Sequence, residues 1–369
     1  MNNTIYKRGA TLLILCLFGA GALSAQDYTD QSTLWQSYPA TRETTLDLEN
    51  KYGTVHLVPW DKDSVSIQVD IFLSSTSMTR LKRLKEDVNI SFSSSRFYIT
   101  ARTILDKTNS QFSAEMRSLS NALIGTPKEV EINYLVHVPA YININLRNKF
   151  GDVYIDDLTG KVRIELSNGS LKANRIDGNS EITLSFANGM VNTLGSVKLD
   201  LSYSDLKVGA IRQLDLISRS STLDADFSGL TRIDSRRDKL TFKEIEYLYG
   251  SSNFSQVWID RFTREADCYM KYGGLVIDHV VPGFQKLHID SDYTDITLNV
   301  EAKKPVRLEL LHSPEAVVNI SDKDSQLENS PASGGLVLVS GTLGGREGNG
   351  KIQIEALQKC FIKISSRQP

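Results

Sequence analysis

Cysteine is scarce in this chain, 3 in 369 residues, which excludes a disulfide-stapled scaffold and any cysteine-rich zinc module. Histidine is nearly as sparse. His56, His137, His279, His288 and His312 are scattered and form no HxxxH or HxH pair, so the sequence offers no metal site. Charge of one sign is lacking as well: 42 basic residues stand against 44 acidic ones, a formal net charge of −2, which removes any global attraction to nucleic acid. The local basic run Arg232, Arg236, Arg237, Lys239 and Lys243 is interleaved with Asp234, Asp238 and Glu244 and reads as a solvated face. Long apolar runs are confined to residues 10–22, preceded by Lys7 and Arg8 and followed by Leu23-Ser24-Ala25. That pattern predicts an export signal over 1–25, cut before Gln26, and is shorter than the ~20 residues of a spanning helix. No membrane span is expected after cleavage. Cofactor and nucleophile motifs are missing too. Gly341-Thr342-Leu343-Gly344-Gly345-Arg346-Glu347-Gly348 has no following Lys-Ser/Thr and reads as a hairpin loop, and there is no GxSxG. No cofactor is expected.

What the chain does have is one recurring unit: two alternating apolar residues, a small or apolar anchor, four turn residues, then two more alternating apolar residues. Leu46-x-Leu48-x-Asn50 is followed by Val55-x-Leu57, and Ile144-x-Leu146-x-Asn148 by Val153-x-Ile155. Anchors read at 148, 166, 186, 201, 218, 235, 252, 270 and 291 recur at intervals of 18, 20, 15, 17, 17, 17, 18 and 21 along the chain. A short period of strand-like units predicts a solenoid in which each unit buries its apolar face by stacking on its neighbours. The fold class expected is all-β: a single-stranded β-helix (β-solenoid) of short coils of about 17 residues, long enough for one turn at ~3.3 Å per residue. Leu171, Leu206, Leu240, Val257, Leu275 and Ile296 are expected to form one buried ladder, and Leu146, Ile164, Leu184, Leu199 and Leu216 another on the preceding face. The small anchors Asn50, Asn148, Ser218, Ser235, Ser252 and Ser291 are expected to form hydrogen-bonded ladders along the stack. Gly53, Gly151, Gly169, Gly189 and Gly273 are expected to serve turns that need positive φ.

Outside the repeat, residues 26–43 read as a polar lead-in. The segment 44–143 reads as a first β unit plus a capping insertion, with a helix at about 76–87 and a mobile loop at about 106–128. In that insertion Val65, Ile67, Val69, Ile71 and Leu73 alternate as a half-buried strand. The coils run over 144–300, and 301–369 reads as a C-terminal β cap containing a Ser/Gly-rich loop over 322–335. Caps are needed because the ends of such a stack are open strand edges. Cys268 and Cys360, which remain after cleavage, read as small buried residues, with a pairing between them left open.

Two candidate sites compete. Tyr52, Phe150, Tyr203, Phe254, Tyr272 and Tyr293 all lie two residues past an anchor, so stacked coils bring them to one corner as an interrupted stripe. Such a stripe either staples the turn edge by ring stacking or forms a ridge that binds sugar or peptide. Carboxylates are also plentiful, notably Asp152, Asp156 and Asp157, or Asp290, Asp292 and Asp295. Pairs of them on adjacent coils define the alternative, a glycan-active enzyme working on a lateral face, although Asp is equally an ordinary turn residue.

The Asn-Lys-Tyr/Phe-Gly-x-Val turns at 50–55 and 148–153, the Glu131-Ile132-Asn133-Tyr134 strand ending at Val138-Pro139, and the succession of coils resemble one bacterial family. It is that of exported "putative adhesins", a domain of unknown function related to the auto-transporter adhesin head GIN domain. The resemblance spans about residues 44–365. It implies a β-helix of the cell envelope, non-catalytic, periplasmic or at the outer surface or secreted, acting as an adhesin or as a binding or scaffold module. The partner it implies is an envelope protein or glycan polymer, and it carries over no catalytic residues. The chain departs from the glycine-bearing turn at Ser218-Arg219-Ser220 and Ser235-Arg236-Arg237, where coil regularity is expected to be weakest.

Overall fold

The computed structural model describes residues 27–105, 129–301, 305–321, 323–344 and 350–367. The expected signal over 1–25 and the expected mobile loop over 106–128 lie outside these. Strands β1 (Tyr28–Pro39), β2 (Thr45–Lys51), β3 (Val55–Trp60) and β4 (Ser64–Ser75) precede helix α1 (Met78–Asp87). Strands β5 (Val88–Ser94), β6 (Tyr98–Leu105) and β7 (Val130–Pro139) follow it. Residues 28–39, read from sequence only as part of a polar lead-in, form β1, whose side chains are almost all exposed.

The chain divides into two compact units. Of the described residues the smaller holds 27–32, 71–89, 105 and 129–131, and it carries α1. The helix starts at Met78, after Ser77 in extended conformation, and buries Leu81 and Leu84 while Met78 faces solvent. Arg80 and Lys85 on its polar side pair with Glu129 at 2.8 Å and Asp30 at 2.7 Å.

The larger unit is a stack of parallel strands. Strands β8 (Asn143–Lys149), β9 (Val153–Leu158), β10 (Val162–Ser167), β11 (Ser170–Ile176) and β12 (Ser180–Ser185) are short. Strands β13 (Asn188–Ser202), β14 (Asp205–Arg219), β15 (Thr222–Arg236), β16 (Lys239–Asn253), β17 (Gln256–Val280) and β18 (Lys286–Glu301) are long. Ile144 lies opposite Val162, and Val162 opposite Ser180. Through β13, β14 and β15 every paired residue then lies opposite the one 17 further on, as Leu199 opposite Leu216 and Leu216 opposite Ile233. This is the sequence period expressed as hydrogen-bonded pairing. The register is unbroken where the glycine-free turns suggested weakness, at Ser218–Ser220 and Ser235–Arg237. Shifts fall later, between Ile245 and Tyr247 and between Ile277 and Val280.

The register also corrects one anchor. Asn148, Leu166, Leu184, Leu201 and Ser218 are successive partners, so the third anchor is Leu184 and not Phe186. The column of Leu146 and Ile164 continues through Ile182 to Leu199 and Leu216, displacing Leu184 from the ladder expected there. The other ladder forms as expected: Leu171, Gly189, Leu206, Leu223, Leu240 and Val257 are in line, and Leu275 lies opposite Ile296. All of its leucine, isoleucine and valine members are buried. Burial of a Leu or Ile side chain is worth roughly 1.5–3 kcal/mol, so these columns are the core.

At both ends the spatial order departs from chain order. Strand β2 pairs with β8 on one side and β6 on the other, and β3 with β9 and β7. Residues 45–60 therefore lie between 143–155 and the later segments 98–102 and 134–139. Beyond residue 301 come β19 (Val306–His312), β20 (Val317–Ser321), β21 (Gln326–Pro331), β22 (Val337–Leu343), β23 (Gly350–Ala356) and β24 (Phe361–Arg367). The last two pair in parallel with β18, and β19 and β20 pair in turn on their far side. Residues 350–367 thus lie between β18 and the earlier strands β19 and β20, out of chain order. Strand β21 forms inside the expected Ser/Gly-rich loop. Its side chains are mostly polar and exposed, and it owes its shape to antiparallel pairing with β22, which itself pairs with β19.

Candidate binding ridge at the coil corners

Ten units of the stack turn at the residue two past the anchor, and in each of them that residue has positive φ. Tyr52, Phe150, Asn168, Phe186, Tyr203, Ser220, Arg237, Phe254, Tyr272 and Tyr293 all lie between 50° and 63°. Left-handed backbone costs a non-glycine residue roughly 1–2 kcal/mol. It is held here because the corner N–H still donates to the next unit: Phe150 to Ser167 at 2.9 Å, Phe186 to Ser202 at 3.0 Å, Tyr203 to Arg219 at 3.0 Å. The corner glycines do not carry the positive φ expected of them, which falls one residue earlier on the ring-bearing position. Gly151 is needed for close approach instead, since a Cβ there would run into the carbonyl oxygen of Gly53. Gly189 is not a corner residue; it occupies a core position against Leu206.

The small polar anchors do not bond to one another in a continuous column. The Nδ2 atoms of Asn50 and Asn148 donate to the carbonyls of Ile132 (2.9 Å) and Gly53 (3.0 Å), tying Asn50 to strand β7 and Asn148 to the neighbouring corner. The continuous ladder lies three residues past the anchor. The N–H of Ala187 donates to Ser204 Oγ, that of Ser204 to Ser221 Oγ, that of Ser221 to Asp238 Oδ1, and that of Asp238 to Ser255 Oγ, at 2.8–3.2 Å. Glycine-bearing corners are closed by backbone contact and the glycine-free ones by this side-chain ladder, which is why the register stays regular there.

The positive-φ corner projects its side chain outward, and the rings of successive units stack. Centroid separations are 5.3 Å for Tyr52 and Phe150, 5.0 Å for Phe186 and Tyr203, 4.8 Å for Phe254 and Tyr272, and 5.1 Å for Tyr272 and Tyr293. All six rings expected from sequence thus share this corner position. Phe186 joins them; mistaking it for an anchor hid it, and the uneven 20 and 15 spacings around it were the available signal. Asn168, Ser220 and Arg237 divide the ridge into runs of two, two and three rings. Phe186, Tyr203 and Phe254 remain 62%, 60% and 52% exposed. Lys51 and Lys271 lie over the Tyr52 and Tyr272 rings at 4.9 and 5.4 Å. Burial pushes the Tyr52 phenol up and the Lys51 ammonium down.

Most of the carboxylates weighed for catalysis are engaged in structure. Asp152 accepts from the Ser170 N–H at 2.9 Å, and Asp157 from Arg175 at 2.8 Å. Asp292 accepts from the Tyr269 hydroxyl at 2.9 Å, and Asp295 from the Phe361 N–H at 3.2 Å. A shallow trough of about 650 Å³ runs beside Met190, Lys207, Asp224, Lys243, Trp258 and Asp260. Cys268 and Cys360 are free and buried, and burial pushes the Cys268 thiol up to about 12. Among the described residues no helix is long and apolar enough to cross a membrane.

No family model matches the chain, and no curated protein matches it. Among solved structures it is similar to a putative cell adhesion protein from Clostridium sporogenes, at 8% identity and TM-score 0.20, covering 91% of this chain and 100% of that one. It is also similar to a putative adhesin from Parabacteroides distasonis, at 10% identity and TM-score 0.33, covering 73% and 94%. A putative lipid binding protein from the same organism gives 10% identity and TM-score 0.31, covering 75% and 94%. The first two of these carry the adhesion name that the sequence resemblance gives.

Proposed function

We propose that this chain is an exported, non-catalytic β-solenoid of the bacterial cell envelope, a single-stranded β-helix that acts as an adhesion or binding module. The nearly constant parallel step over most of the stack, Ile144 to Val162 near its start and Leu199 to Leu216 to Ile233 in its middle, supports the solenoid reading. Its compartment is the periplasm or the outer surface. Beyond residue 301 the stack is capped through β22, which pairs along the edge of β19.

The observation that carries the binding role is the ridge of rings at left-handed corners. Asn168 demonstrates that a small polar residue fits the same backbone, and Asn tolerates this region better than most residues. Seven corners nevertheless bear rings, and Phe186 and Phe254 present hydrocarbon to water. Stacking returns about 0.5–1.5 kcal/mol per pair, which offsets the strain but does not account for the exposed outer edges. A row of rings repeating every ~4.8 Å suits a repeating polymer, because several weak contacts add through effective concentration. The ligand class is a glycan polymer, with an extended segment of an envelope protein as the other occupant.

The test is the double variant Tyr203→Asn and Tyr272→Asn, which keeps a side chain suited to positive φ. Glycan-array binding and pull-down from envelope extract are read beside the melting temperature. Binding should fall at least tenfold with the melting point within about 3 °C of wild type, a shift of the size a small stability change gives. Loss of binding only together with loss of fold would make the rings structural staples and refute the ridge.

A further inference from the structure

Outside the ridge, one cluster of outward side chains combines ligand geometry with uncompensated charge. Strand alternation in β18 points Lys286, His288 and Asp290 away from the core, and β23 does the same with Lys351, Gln353 and Glu355. Their parallel register sets Lys286 beside Lys351, His288 beside Gln353 and Asp290 beside Glu355. Both lysines are drawn away from the cluster, Lys286 to Asp267 and Lys351 to Glu309, each at 2.7 Å. Among the described residues no lysine or arginine pairs with Asp290 or Glu355.

His288 is oriented by a third carboxylate. Its Nδ1 lies 3.1 Å from Asp267 Oδ1, and since a carboxylate only accepts, Nδ1 carries the hydrogen. In the neutral ring that leaves Nε2 as a bare lone pair. This atom is buried and makes no hydrogen bond, and Asp290 Oδ1 lies 3.3 Å away. A lone pair facing two unneutralised carboxylates is repulsive unless the ring takes up a second proton or a cation sits among them. The ligand atoms of His288, Asp290 and Glu355 all lie within 4.8 Å of one another. Asp267 occupies the outer position from which a carboxylate fixes a ligating imidazole.

We propose that His288, Asp290 and Glu355 bind a divalent transition-metal ion, with Asp267 positioning the imidazole. One imidazole nitrogen with two carboxylate oxygens suits zinc and its neighbours, with water completing the shell. Calcium and magnesium prefer oxygen ligands alone. The ion ties β18 to β23, segments distant in sequence, and so fastens the 350–367 segment into its out-of-order place in the stack. Its role is a structural clamp, independent of the ring ridge.

The experiment titrates tag-free protein with zinc chloride, by calorimetry and by melting temperature. One saturable site and a rise of several degrees at saturation are expected. Glu355→Gln and Asp290→Asn should each weaken binding at least tenfold, and His288→Gln should abolish it. His279→Gln, at a histidine flanked by Asp260 and Glu301 elsewhere on the stack, should leave it unchanged. Without metal, Glu355→Gln should melt at or above wild type, because it removes one of two facing negative charges. This change therefore keeps the test valid even if His288→Gln folds poorly. No saturable binding up to millimolar zinc would overturn the proposal. So would binding that survives Glu355→Gln, or stabilisation that follows protonation of His288 alone.

Discussion

Asp238 is the most informative residue to perturb, because the glycine-free corners converge on it. It is 5% exposed. Its Oδ1 accepts from the Ser221 N–H at 2.8 Å, and its Oδ2 from Ser218 Oγ (2.6 Å), Ser235 Oγ (2.8 Å) and the Arg236 N–H (2.8 Å). Asp238→Ala removes all four acceptor contacts. The serine hydroxyls can rotate to other acceptors, but the two backbone donors are fixed in the corner. Each buried donor left unpaired costs roughly 1–3 kcal/mol. Subtracting the relief from no longer burying a carboxylate, Asp238→Ala should destabilise by about 2–4 kcal/mol. Asp238→Ser should recover about half of that. Serine already fills the equivalent place at 204, 221 and 255, accepting from the neighbouring unit and donating to the carbonyl two residues back. Urea unfolding of wild type and both variants measures this. An alanine variant within about 0.5 kcal/mol of wild type, the range of an inconsequential surface change, would refute the ladder as what closes these corners. So would a serine variant no better than alanine.

Two further perturbations probe the stack. Gly151→Ala drives a methyl group into a backbone oxygen that cannot move without parting two units, and should cost about 3 kcal/mol or more. Gly283→Ala, at φ +100 with nothing within 4 Å, should cost only about 1–2 kcal/mol of backbone strain, as urea midpoints will reveal. Tyr134 is buried, 2.9 Å from Thr103 Oγ1, and burial pushes its phenol up to about 12 from 10, outweighing the downward pull of Thr103. The folded state therefore favours the neutral phenol. This contribution is complete below pH 10 and is lost as pH rises through 10 to 12, about 3 kcal/mol in all. Tyr134→Phe should flatten that part of the alkaline stability profile relative to wild type, and equal slopes would contradict it.

The sequence by itself determined the period, the inward alternation and the common position of the six rings, because each depends on residues close together in the chain. A strand of alternating leucines is half-buried wherever it sits, and the turn that follows Asn148 bends the chain whatever comes after it. The anchor at 184 was not legible, since Leu184 and Phe186 are two positions apart in one alternating stretch and only the pairing of Leu166 with Leu184 separates them. Which residue takes positive φ was likewise decided by the stack: the corner N–H must reach the next unit, and glycine is reserved for the point where two backbones touch. The order of the end segments was hidden because parallel register looks the same to a strand whichever neighbour supplies it. Leu46-x-Leu48 pairs equally well with Ile144-x-Leu146 and with Ile99-x-Ala101. For the same reason no spacing rule could join His288 and Asp290 to Glu355. Their meeting depends on a segment entering the stack out of chain order, which only the pairing of strands distant in sequence decides.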